Sequence, residues 1–185
     1  MQSVTTDKSA DKLIDVIVQA AKLPEQILVK RFKKYLFFDA DISSSKPMIS
    51  AIREVAVACF GEELEVEVFA SSSRSLLARL DPSADWPVEI SGLGKALRDG
   101  GDVDGMAFLD AKQRWIVYQS RPVDVGVFAI DSPQALDSIK AVRDSFFSKE
   151  DISSWLLRRT ARDVELVESF GAEFLTILLS NYSFT

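Results

Sequence analysis

With 185 residues, 47% of them apolar and 27% charged, the chain has the length and composition of one globular domain with a full hydrophobic core. A formal net charge of −6 and a pI near 4.8 argue against nucleic acid as a partner, because phosphate binding needs clustered Lys and Arg, and favour a basic protein surface instead. Histidine is absent and Cys59 is the single cysteine, which excludes Ser-His-Asp and Cys-His catalysis, His-ligated zinc, an internal disulfide and a Cys-rich metal cage.

No apolar run reaches the ~20 residues of a membrane span, and the polar start Met1-Gln2-Ser3-Val4-Thr5-Thr6-Asp7 is unlike a signal peptide, so the cytoplasm is the expected location. Residues 1–8 are expected to be flexible and 9–185 to form one α/β domain. Leu13, Ile14, Ile17, Val18 and Ala21 recur at helical spacing, and Pro24 suits the first turn of a second helix carrying Ile27, Leu28 and Phe32 inward. The basic cluster Lys30, Arg31, Lys33 and Lys34 then falls near that helix's C-terminus, opposing its dipole. Tyr35 to Phe38 reads as a buried strand. A serine cap from Ser43, Ser44 and Ser45, followed by Lys46-Pro47, starts a helix that Gly61 stops near Phe60, with the lone thiol of Cys59 expected to behave as a small buried hydrophobe. Leu64, Val66 and Val68 alternate with Glu65 and Glu67 in a second strand.

Strand, helix, strand over this span predicts a βαβ unit with two parallel strands. Leu76, Leu77 and Leu80 predict a short helix after Ser71-Ser72-Ser73-Arg74; that turn could also offer backbone N–H groups to an anion. Val88-Glu89-Ile90 reads as an edge strand and 93–98 as a short helix.

From Gly101 to Ile130, three runs rich in β-branched and aromatic residues predict an antiparallel meander: Met106–Leu109, Arg114–Gln119 and Val125–Ile130. Trp115, Val117 and Gln119 alternate with Ile116, Tyr118 and Ser120, so both faces of the sheet are apolar and need cover. Ser132-Pro133 predicts a further helix with Leu136, Ile139, Val142 and Phe146 facing the sheet. Capping-box patterns at Ser148 and Thr160 predict two more starts, the last helix carrying Val164, Val167, Phe170, Phe174 and Leu178. The expected fold is thus α/β: a mixed sheet of five or six strands, a βαβ unit plus the three-stranded meander, helices on both faces and helical segments at each terminus.

Two constellations could carry chemistry. Asp39 and Asp41 close the first strand, where an open sheet places ligands, and two carboxylates one residue apart can share Mg2+. The stretch LFFDADIS resembles the first motif of the haloacid dehalogenase-like phosphatases. That resemblance implies Asp39 as nucleophile, Asp41 as general acid/base and Ser71 as the second-motif hydroxyl. Ser43 stands where the family has Thr or Val, and the third-motif lysine has no counterpart. Around the meander, Asp110, Arg114, Tyr118, Arg121 and Asp124 are candidate binding residues, since Arg and aromatic groups anchor protein interfaces; the same residues would equally form a hydrogen-bonded corner that fixes the turns, which is the favoured reading.

Without a histidine, a metal cage, a glycine-rich phosphate loop or a basic groove, the expected class is a non-enzymatic interaction protein. An acidic, immunity-like protein that neutralises its partner, or a regulatory binder, is an instance, and no cofactor is called for. The alternatives are a Mg2+-dependent phosphoryl-transfer hydrolase using Asp39 and Asp41, and a structural subunit. Phe174, Leu175, Ile177, Leu178 and Leu179, followed by Tyr182 and Phe184, would let the last helix build a homodimer, unless the N-terminal helices fold back over it within one monomer.

Overall fold

The computed structural model describes residues 13–18, 20–132 and 136–182. The expected flexible start, the cap at Pro133 and the terminal Phe184 lie outside the described residues.

Strands β1 (Lys34–Phe38), β2 (Val66–Ala70), β3 (Leu76–Leu80), β4 (Met106–Asp110), β5 (Trp115–Tyr118) and β6 (Gly126–Ile130) form one six-stranded sheet in the order β1-β6-β5-β4-β2-β3. Helices α1 (Lys46–Phe60), α2 (Trp86–Asp99) and α3 (Lys140–Ser145) supply side chains to the core on one face. Helices α4 (Lys149–Leu156), α5 (Ala161–Phe170) and α6 (Ala172–Tyr182), with residues 13–18 and 20–32, cover the other. Alternation along the strands sorts the cores as expected. Leu36, Phe38, Val68, Phe108, Trp115, Val117 and Phe128 face α1 and α2, whereas Phe37, Phe69, Leu109, Ile116 and Val127 face the C-terminal helices.

The meander forms with the expected antiparallel register, Phe108 opposite Val117 and Val117 opposite Phe128. The mixed sheet does not form, because every strand pairing is antiparallel. Four successive reversals leave β1 and β2 running the same way, but three strands separate them, so α1 bridges the meander and no adjacent βαβ pair exists. The place beside β2 is taken by β3, where a helix is expected. Arg74 adopts a left-handed φ of 55°, and the Arg74 N–H donates to the Ala70 carbonyl at 2.9 Å. That turn folds 76–80 back onto β2 as an edge strand. There Arg79 reaches the buried carboxylate of Glu67 at 3.1 Å.

Residues 86–99 form one helix in place of a strand and a short helix. Asp85 caps it by accepting from the Val88 N–H, Pro87 stands at its start, and Trp86, Ile90 and Gly94 recur at i, i+4, i+8 as its buried stripe. Among the described residues before β1, 13–16 are helical. The chain then extends, Ile17 bridging Leu28, and Pro24 lies in a turn, so the second helix is absent and the basic cluster has no helix dipole to oppose. Lys30 pairs instead with Asp131 and Lys34 with Asp137.

The single helix expected after 132 becomes a 3-10 turn (Leu136–Ser138) followed by α3. Phe146 and Phe147 then divide between the two cores, Phe147 bridging Phe37 of the β1 edge. Both capping boxes are present. The expected last helix breaks at Gly171, φ 90°, into α5 and α6. Leu175, Leu178 and Tyr182 of α6 are core residues of the chain itself. The Tyr182 hydroxyl accepts from the Ile27 N–H at 3.1 Å and donates to the Glu25 carbonyl at 2.9 Å. Burial raises its pKa. Cys59 is half-buried against the first core, and burial raises its pKa too, against a hydrogen bond with Ser132.

Candidate functional site

Strands β1, β2 and β5 finish, and β3, β4 and β6 begin, at one end of the sheet. The loops gathered there, 39–45, 71–75, 100–105 and 119–125, carry most of the candidate residues.

Asp39 continues the Phe37 side of β1 and is exposed. The chain then turns, which moves Asp41 to the α1 and α2 side. Its carboxylate accepts from the Ser43 N–H at 2.9 Å, the Ser43 hydroxyl at 2.7 Å and the Ser44 hydroxyl at 2.9 Å. The Arg121 guanidinium stands 3.4 Å away. Burial alone would raise the pKa of Asp41, but the Ser43 and Ser44 hydrogen bonds and the Arg121 charge outweigh it and hold the carboxyl below its usual value. Asp39 and Asp41 line separate clefts, and the oxygens of Asp41 are already engaged. As placed, the pair does not fit a shared Mg2+, and among the described residues no group of three acidic, His or Cys side chains is arranged to hold a metal.

The buried centre of these loops is Gln119, which is 2% exposed. Its Oε1 accepts from the Ile42 N–H at 3.0 Å. Its Nε2 donates to the Ala40 carbonyl at 3.2 Å and to the Asp124 carbonyl. The Gln119 carbonyl accepts from the Ser71 hydroxyl at 2.8 Å. One residue therefore joins three of the four loops. The fourth is held by close approach: at Gly105, φ 107°, a Cβ would lie 2.3 Å from the Gln119 oxygen, a position open only to glycine. Likewise a Cβ on Gly94 would meet the Ser43 carbonyl at 1.9 Å, so α2 packs directly on the Asp41 loop.

Three clefts open around this centre. A cleft of about 400 Å3 on the α2 side is lined by Leu97, Val103 and Pro122 with Arg98, Asp41 and Arg121 around them. Arg98 is anchored on the Ser43 hydroxyl at 2.8 Å, Arg121 also pairs with Asp124, and Val103 is 60% exposed. A second, of about 460 Å3, lies on the opposite face between residues 20–22 and the β2–β3 turn, and holds Ser71 and Tyr118 together. The third, of about 410 Å3, is lined by Asp39, Asp124, Phe170 and Phe174. Asp39, Asp41 and Ser71 thus fall in three different clefts.

The meander constellation also divides. Tyr118, Arg121 and Asp124 are at the loop end. Asp110 and Arg114 are at the far end, where buried Asp110 receives Arg114 through bonds of 2.7 and 2.8 Å and the guanidinium lies 4.4 Å from the Phe60 ring centre. That is a turn-fixing corner. Gln119, Arg98, Lys22 and Val103 are the residues that sequence reasoning missed. Only Gln119 carried a signal, a polar side chain at an inward strand position beside Val117, which a buried site must satisfy. Comparison of the chain with protein-family models, with curated proteins and with solved structures finds no match. Among the described residues, no helix is long and apolar enough to cross a membrane.

Proposed function

We propose that the protein is a non-enzymatic interaction protein of the cytoplasm that recognises a protein partner at the loop end of its sheet. The observation that carries this reading is the α2-side cleft: an apolar floor of Leu97 and Pro122, an exposed Val103 and two arginines, each already held by a second group. Apolar and Arg side chains on a preorganised frame are what an interface hot spot requires, because little conformational entropy remains to be lost on binding. An immunity-like or regulatory role is the form of binding that suits a chain of net charge −6. A partner of different sequence is favoured over a second copy, since most of the apolar surface of α6 is spent inside the chain. The hydrolase alternative draws no support from the separation of Asp39 and Asp41.

Affinity capture from source-cell extract with the native chain and with Val103→Asp/Arg98→Glu tests the reading, alongside Mg2+-dependent hydrolysis of a generic phosphate ester. The native chain should retain a partner that the double variant loses, with no turnover. Metal-dependent turnover abolished by Asp39→Asn would replace the binding reading with the hydrolase one.

A further inference from the structure

We propose that the cleft between residues 20–22 and the β2–β3 turn is a binding site for a small phosphate monoester, a role separate from partner recognition on the α2 side and independent of it. Its lining includes several uncommitted hydrogen-bond donors beside the Ser71, Ser72 and Ser73 hydroxyls, which already have partners. Tyr118 is 8% exposed, yet its phenol makes no hydrogen bond among the described residues, and it lines this cleft. The phenol oxygen is not sealed inside the protein but opens to the cleft, where it is free to donate to a ligand. The Arg74 guanidinium has no ion pair and the Ser120 hydroxyl no partner among the described residues. Lys22 spends one of its three donors on the Arg121 carbonyl at 2.9 Å. The backbone N–H groups of Ser72 and Ser73, in the same turn, are also uncommitted among the described residues.

Charge decides what these donors hold. Among the lining residues Lys22 and Arg74 stand against one carboxylate, Asp104, while Asp102, which accepts from the Ser72 hydroxyl at 2.6 Å, lines the α2-side cleft, so the lining itself is cationic on a chain of net charge −6. Arginine, lysine, hydroxyl and amide donors together match the several oxygens of a phosphoryl group better than the two of a carboxylate. A volume of about 460 Å3 exceeds what inorganic phosphate fills and is within the range of small-molecule pockets, which leaves room for an organic alcohol. Asp104, which also lines the cleft, is then available as an acceptor for a hydroxyl group of that alcohol.

The test is an amide NMR titration of the native chain with ribose 5-phosphate, glucose 6-phosphate and glycerol 3-phosphate, against free ribose and inorganic phosphate. At least one ester should give saturable shifts centred on 20–22, 71–75 and 118–120, and bind more tightly than either control. Arg74→Gln should weaken that ester by about ten- to a hundredfold. Tyr118→Phe, which keeps the buried ring, should weaken it at an unchanged melting temperature. No saturable shift with any ester, shifts centred elsewhere, inorganic phosphate binding as tightly as the esters, or unaltered affinity in Arg74→Gln each overturns the proposal.

Discussion

Replacing Gln119 by Leu keeps the side-chain volume close to native but removes every hydrogen bond that its amide makes. Three backbone groups lose their partner: the Ile42 N–H and the carbonyls of Ala40 and Asp124. At about 1 kcal/mol net for each bond the loss is about 3 kcal/mol. It lies above the value for a solvent-exposed glutamine because Ile42 is 0% exposed and water reaches its N–H poorly. For a domain of this size that corresponds to a fall in melting temperature of about 6–12 °C. Urea unfolding at 25 °C measures the free energy, and amide hydrogen exchange locates it. Protection should fall in 40–45 and 121–125 and stay native at the Asp110–Arg114 corner at the far end of the sheet. A loss under about 1 kcal/mol, or a uniform loss of protection, would mean that Gln119 does not hold the loops together and that the clefts are not preorganised.

Two further perturbations probe the frame. Trp115 is fully buried between Trp86 and Phe128, with ring centroids at 6.5 and 5.5 Å, so Trp115→Ala should cost about 3–5 kcal/mol by chemical denaturation; unchanged stability would place the ring outside the core. Asp41 has a folded pKa below its unfolded value, so its contribution is present above the usual carboxylate pKa of about 3.9 and is lost as pH falls through the lower folded value. A carboxyl NMR titration should give a midpoint below that of an unstructured Asp, with the Ser43 amide moving in step, and Ser43→Ala should raise it.

The meander was legible because strand alternation and short turns coincide from Met106 to Ile130, so local pattern and tertiary pairing ask for the same structure. Helix α1 was legible through its cap, its proline and the glycine that ends it. Strand β3 was hidden because Leu76, Leu77 and Leu80 fit a helical stripe as well as an edge strand, and only pairing with β2 decides between them. Helix α2 was obscured by Gly92, Gly94 and a Val-Glu-Ile alternation, and Gly94 is there for the close approach to Ser43. Strand order carries no local signal, which is why β1 and β2 were expected side by side. Asp39 and Asp41 looked like one site because alternation puts i and i+2 on one face; the turn after β1 separates them.

The most direct measurement is the affinity of a purified partner, identified by capture on the native chain, for three forms of the protein: native, Val103→Asp/Arg98→Glu at the loop end, and Lys112→Glu at the opposite end. Calorimetric titration should show the loop-end variant weakened by at least about tenfold, or 1.4 kcal/mol, with the far-end variant indistinguishable from native. Equal affinity in all three forms, or loss confined to Lys112→Glu, would contradict recognition at the loop end of the sheet.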